Sequence, residues 1–143
     1  GEKLKKDPTR DYITAAFRLY AARGRIGYEA TKMQIYKQEL SKYSEPERAV
    51  KNANIAVEKY TPMLLDILAV ERTLELLEKG GKKEISRAVK EIYFTYPEKP
   101  LRRGEISERV RRLSINMPAS EKTIYYWLKE ARLMCASLRG LRT

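Results

Sequence analysis

Apolar residues recur along most of this chain at intervals of three and four, the period of an amphipathic α-helix. In "DPTRDYITAAFRLYAARG", Ile13, Ala16, Phe17 and Tyr20 fall on one face. Asp7 is placed to cap this helix, Pro8 suits a first position whose N–H has no intrahelical partner, and Gly24 is a stop. "YEATKMQIYKQELSKY" follows. Met33, Tyr36, Leu40 and Tyr43 are its predicted core stripe, with Lys32, Lys37, Glu39 and Lys42 on the polar side.

A third segment opens at Ser44-Glu45-Pro46 and runs to Lys79, where Gly80-Gly81 ends it. Val50, Ala53, Val57, Tyr60, Leu64 and Ile67 repeat as nearly three heptads of an a/d seam. Glu71 takes the next seam position, and the stripe moves to Val70, Leu74 and Leu77. Pro62 removes a backbone hydrogen bond and crowds the preceding turn. A kink or short break is therefore predicted after Tyr60, with Thr61 capping the second half. Two readings of the seam stand: packing against the first two helices, or pairing with a second copy of the chain.

Past Gly80-Gly81-Lys82-Lys83 the pattern predicts shorter elements. Ile85, Ala88, Val89 and Ile92 make one helix face, which Tyr93 and Phe94 extend. Pro97 and Pro100 make "TYPEKPLRRG" a loop. "EISERVRRL" turns Ile106, Val110 and Leu113 inward and Arg109, Arg111 and Arg112 outward. "SINMPA" reads as a turn. In "SEKTIYYWLKEARLMCASLRG", Ser120 caps a helix that Gly140 ends. Ile124, Leu128, Ala131 and Cys135 form its inner face, with Trp127, Met134 and Leu138 beside them. There is no strand pattern and no internal repeat. The predicted fold is all-α: an N-terminal helical bundle with one long kinked helix in residues 1–81, then a C-terminal helix-turn-helix domain in residues 82–143.

Composition supports a folded core, since 43% of residues are apolar. Charge changes the picture more. The net charge is +11. Residues 1–81 hold 15 Lys/Arg against 12 Asp/Glu, a net of +3, and residues 82–143 hold 15 against 7, a net of +8. A basic excess concentrated in one part implies a polyanionic partner. The face of the last helix opposite its apolar stripe is both basic and aromatic: Lys122, Tyr125, Tyr126, Lys129 and Arg132. A helix that reads a DNA groove needs such a face. Donors and acceptors in its first turn reach base edges, and flanking cations neutralise phosphates and release counterions.

Other chemistries fare worse. There is one cysteine, Cys135, and no histidine. Intrachain disulfides, Cys/His zinc sites and histidine-based catalysis are excluded. Cys135 lies on the apolar face and reads as a small buried hydrophobe. The acidic pairs Glu45/Glu47, Glu75/Glu78 and Glu105/Glu108 read as solvated faces and first-turn helix charges. No Gly-rich loop follows a strand, so no nucleotide-binding motif is expected. No enzyme activity, cofactor or metal is expected. No apolar run approaches the roughly 18 residues of a membrane span, and there is no signal-peptide pattern. A reducing cytoplasm without membrane attachment is the expected setting. Gly1, standing where Met would begin a chain, is read as a tag remnant or trimmed start.

"AVKEIYF", "GEISERVRRL" and "SEKTIYYWLKEA" together resemble region 4 of bacterial sigma factors. They are still more similar to phage late transcription regulators of the ArpU/RinA type. The resemblance covers roughly residues 84 to 139 and rests on Ile106 together with Ser120, Thr123, Ile124, Leu128 and Ala131. It implies that Ser120, Glu121, Lys122 and Thr123 face the groove, with Tyr125, Tyr126 and Lys129 beside it. One departure stands out: the 14 positions from Ile106 to Ser120 exceed the family's usual tight connection.

The expected function is a sequence-specific, phage- or prophage-encoded transcription regulator that binds double-stranded DNA. Phosphate contacts are expected from Arg102, Arg103, Arg109, Arg111, Arg112, Lys129 and Arg132. The N-terminal helices would form a homodimer or contact RNA polymerase. The alternatives are a small phage DNA-packaging or assembly subunit, and a protein-interaction module whose basic face meets an acidic partner.

Overall fold

The computed structural model describes residues 6–142, and Gly1 lies outside them. Seven helices and no strand are found among the described residues: α1 (Pro8–Ala22), α2 (Tyr28–Leu40), α3 (Pro46–Lys59), α4 (Thr61–Lys79), α5 (Lys83–Tyr93), α6 (Glu105–Asn116) and α7 (Glu121–Arg139). The all-α expectation holds.

Local chemistry sets most of the ends. The Asp7 carboxylate accepts the Arg10 N–H at 2.9 Å, and Pro8 opens α1. Ser120 Oγ accepts the Thr123 N–H at 3.1 Å, the bond expected of a cap at the start of α7. Gly140 ends α7 in the left-handed region at φ 83°, and Leu141 N–H returns to Ala136 O at 2.9 Å.

Of the kink or short break expected after Tyr60, the structure has the break, so the long segment is two helices and not one kinked helix. Tyr60, at φ −93° and ψ 11°, separates α3 from α4. Pro62 then lies in the first turn of α4, where it takes no hydrogen bond away. Thr61 is the first helical residue and makes no cap, because Tyr60 occupies that position. The seam breaks at the same place. Ala53, Leu64 and Ile67 are buried, but Val50 and Tyr60 are exposed.

One buried cluster joins α1, α4, α5, α6 and α7 across the Gly80-Gly81 turn. Phe17 of α1 stacks on Tyr93 of α5 with ring centroids 5.5 Å apart. Asp66 of α4 accepts from the Tyr12 hydroxyl of α1 and from Arg139 Nε of α7, both at 2.7 Å. That carboxylate raises the Tyr12 pKa by accepting its hydroxyl proton, and raises that of Arg139 by favouring the cation.

The α2–α3 hairpin lies outside this cluster, with α2 reaching α4. Its expected stripe is displaced: Met33 is exposed, and Tyr36, Leu40 and Tyr43 are only half-buried. The buried residues here are Thr31, Ala49 and Ala53, small side chains that let two helices approach and push the larger ones to the rim. Glu71 is drawn to the start of α2, where its carboxylate accepts the Tyr28 N–H at 3.4 Å. A side chain at Gly27 would strike that carboxylate, with only 1.7 Å from Cβ to oxygen.

Candidate nucleic-acid interface

The connection between the last two helices is short. α6 continues past the expected end at Leu113 to Asn116, whose side-chain amide donates back to Arg112 O at 3.2 Å. Pro118 forbids helical backbone at the residue before it, and Met117 is extended at φ −123° and ψ 149°. Only residues 117–120 separate α6 from α7. The 14-position gap is therefore mostly helix. Both helices pack on each other and on α5.

The inner face of α7 is as the spacing implies: Ile124, Leu128, Ala131 and Cys135 are buried, with Trp127 and Met134 at its edge. Leu138, expected beside this face, is exposed instead. Burial pushes the Cys135 thiol up to about 11, which suits a packing residue and not a nucleophile.

On the opposite side Lys122, Tyr126 and Lys129 are exposed in one stripe, and Leu133 continues it. Tyr126 is 61% exposed and Leu133 44%. Neither lysine has a carboxylate partner among the described residues. Glu121 is exposed, 3.9 Å from Arg111 of α6. Thr123 is half-buried, and the Ser120 hydroxyl donates to Thr123 Oγ1 at 3.0 Å while capping the helix. Arg102, Arg103, Arg111 and Arg112 are exposed, the last paired with Glu108 one turn away.

Two residues on the expected surface, Arg109 and Arg132, are drawn inward, while a third, Tyr125, is exposed but borders a cleft. Tyr125 lines an open cleft of 1130 Å³ between α1, the loop before α6, and α6–α7. Arg132 lines the same cleft, and its guanidinium donates to the Tyr93 hydroxyl at 2.8 Å. Arg109 is not outward. Only 11% of its side chain is exposed, and it donates to Ile92 O at 2.7 Å. The cause is the C-terminal end of α5, whose last carbonyls have no helical partner and carry the negative end of the helix dipole.

Arg18 of α1 serves the same end. It is buried, donating to Tyr93 O at 3.0 Å and Tyr96 O at 2.9 Å, with Thr95 O and Lys99 O completing the ring. Burial lowers its pKa, and the neighbouring Arg109 charge adds to the effect. Two arginines thus clamp the α5 terminus and shape the loop that carries Arg102 and Arg103. Sequence reasoning missed Arg18. An arginine one position past the apolar Phe17 carries no sign that it will turn inward.

No group of His, Cys, Asp and Glu that could hold a metal ion exists among the described residues. No described helix is long and apolar enough to cross a membrane. Comparison with family models, with curated proteins and with solved structures returned no match for this chain.

Proposed function

We propose that the protein is a sequence-specific, double-stranded-DNA-binding transcription regulator, sigma-like and phage- or prophage-encoded. One observation carries this reading above the others. A short turn joins two packed helices, and the second holds a Lys122–Tyr126–Lys129 stripe away from the core, its lysines without a carboxylate partner among the described residues. Such a helix fits the major groove, with its first turn toward base edges. Arg102, Arg103, Arg111 and Arg112 stand on the preceding loop and helix, where they would neutralise phosphates. Ser120 caps α7, so its part in base contact is through Lys122 and its neighbours and not through its own hydroxyl. The likeness of residues 84 to 139 to sigma region 4 and to ArpU/RinA-type regulators supports the same reading.

In this proposal the α2–α3 hairpin, outside the shared core, is the part offered to RNA polymerase or to a second copy of the chain. The setting is the cytoplasm, and no enzymatic step is involved. Binding-site selection from a random DNA pool tests it. A single enriched sequence supports a regulator, and a palindromic one adds a two-fold dimer. Binding without enrichment, by a ring of many subunits, supports a packaging protein instead. No binding overturns the reading.

A further inference from the structure

The first turn of α1 lies against the middle of α7. Asp7, Thr9, Arg10 and Ile13 from α1, and Lys129, Arg132 and Leu133 from α7, enclose a hollow of 130 Å³. Arg10 also borders the larger cleft, beside Arg132 and Tyr125. It therefore stands on the ridge between the two depressions. Three cations from two distant parts of the chain converge there: Arg10, Lys129 and Arg132.

Their commitments differ. Arg132 is tied to the Tyr93 hydroxyl. Lys129 has no carboxylate partner among the described residues and belongs to the outward stripe. Arg10 meets only the adjacent Asp11, through Nε at 3.4 Å, with side chains 45% and 71% exposed. An exposed pair of this kind is worth little. The Asp7 carboxylate is occupied with the Arg10 backbone N–H. The two terminal nitrogens of Arg10 make no hydrogen bond among the described residues, leaving a planar pair of donors of the kind that binds a phosphate.

We infer that Arg10 is a backbone-phosphate contact of the DNA surface, acting beside Lys129, so that α1 is part of the interface and not only its support. This rests on the DNA reading above. That reading drew its positive surface from the C-terminal part alone, because no sequence pattern links residue 10 to residue 129.

The test uses the whole chain, a labelled duplex and a salt titration. One lost phosphate contact lowers the slope of log affinity against log salt by about 0.9. Between about 50 and about 200 mM salt, Arg10→Gln should therefore lose roughly threefold to fourfold less affinity than the wild type. Base preference should be unchanged, Arg10→Lys should restore most of the slope, and Arg72→Gln at an exposed position of α4 should not alter it. An unchanged slope in Arg10→Gln, with salt-dependent wild-type binding, overturns the Arg10 assignment and leaves the DNA reading standing. A loss of affinity at constant slope together with a lower Tm marks Arg10 as structural and also overturns it. A wild-type chain that binds no duplex overturns both.

Discussion

Arg109 separates a surface cation from a structural one. The sequence pattern places it among phosphate-contacting arginines, whereas the fold turns it onto the Ile92 carbonyl at 2.7 Å. Methionine at this position keeps an unbranched stem of similar reach and removes the donors. A hydrogen bond from a charged group contributes about 1.5 to 3 kcal/mol, and the interaction with the α5 dipole about 0.3 to 1 kcal/mol. The ion pair with Glu105 is long, at 3.6 Å, and adds little. Arg109→Met should therefore destabilise the protein by about 2 kcal/mol. In a chain of this length each kcal/mol moves Tm by roughly 3 to 4 °C, so a fall of about 7 °C is expected. Thermal unfolding followed by circular dichroism measures it, and a salt titration of duplex binding should show no change in slope. An unchanged Tm with a slope reduced by about one would refute the inward placement.

Other consequences follow from the two-sided character of α7. Ile124→Ala, at a fully buried position, should cost about 2 to 5 kcal/mol, while Tyr126→Ala should stay within about 0.5 kcal/mol; chemical denaturation of the two variants checks the contrast. The Cys135 thiol should resist a thiol-specific reagent at neutral pH in the folded chain and react fully once the chain is unfolded. Its pKa is raised from 9.0 to about 11, so the folded state favours the protonated form. That contribution is intact below pH 9 and is lost as pH rises toward about 11. Comparing wild type with Cys135→Ala across this range isolates it, and a difference that grows in favour of the wild type with rising pH would contradict the assignment.

The helices themselves were legible where periodicity and caps agreed. α1 and α7 begin at Asp7-Pro8 and Ser120, and both apolar stripes are buried. Reading failed where position in the fold outweighed local pattern. Met33, Tyr36, Leu40 and Tyr43 have ideal spacing, yet α2 meets its partner through Thr31, because the hairpin packs on small residues. Leu113 looked like a helix end because polar Ser114 and Asn116 follow it, but the backbone continues until Pro118 forbids it. The clamp of Arg18 and Arg109 on α5 was invisible for another reason. A charged side chain that turns inward to bare carbonyls is specified by the partner element and not by its own neighbours in the chain.

The central claim, that the outward face of α7 reads DNA, is tested most directly by binding of the whole chain to its selected duplex. Wild type, Lys122→Ala and Tyr126→Ala would be titrated over a range of salt concentrations. Five exposed cations, Arg102, Arg103, Arg111, Arg112 and Lys129, imply a slope of about −4.5 for the wild type, or nearer −5.4 with Arg10. Each variant should fold normally, lose about 1 to 3 kcal/mol of binding and relax the preference at one or two base positions. Unchanged affinity and unchanged sequence preference in both variants would contradict the account.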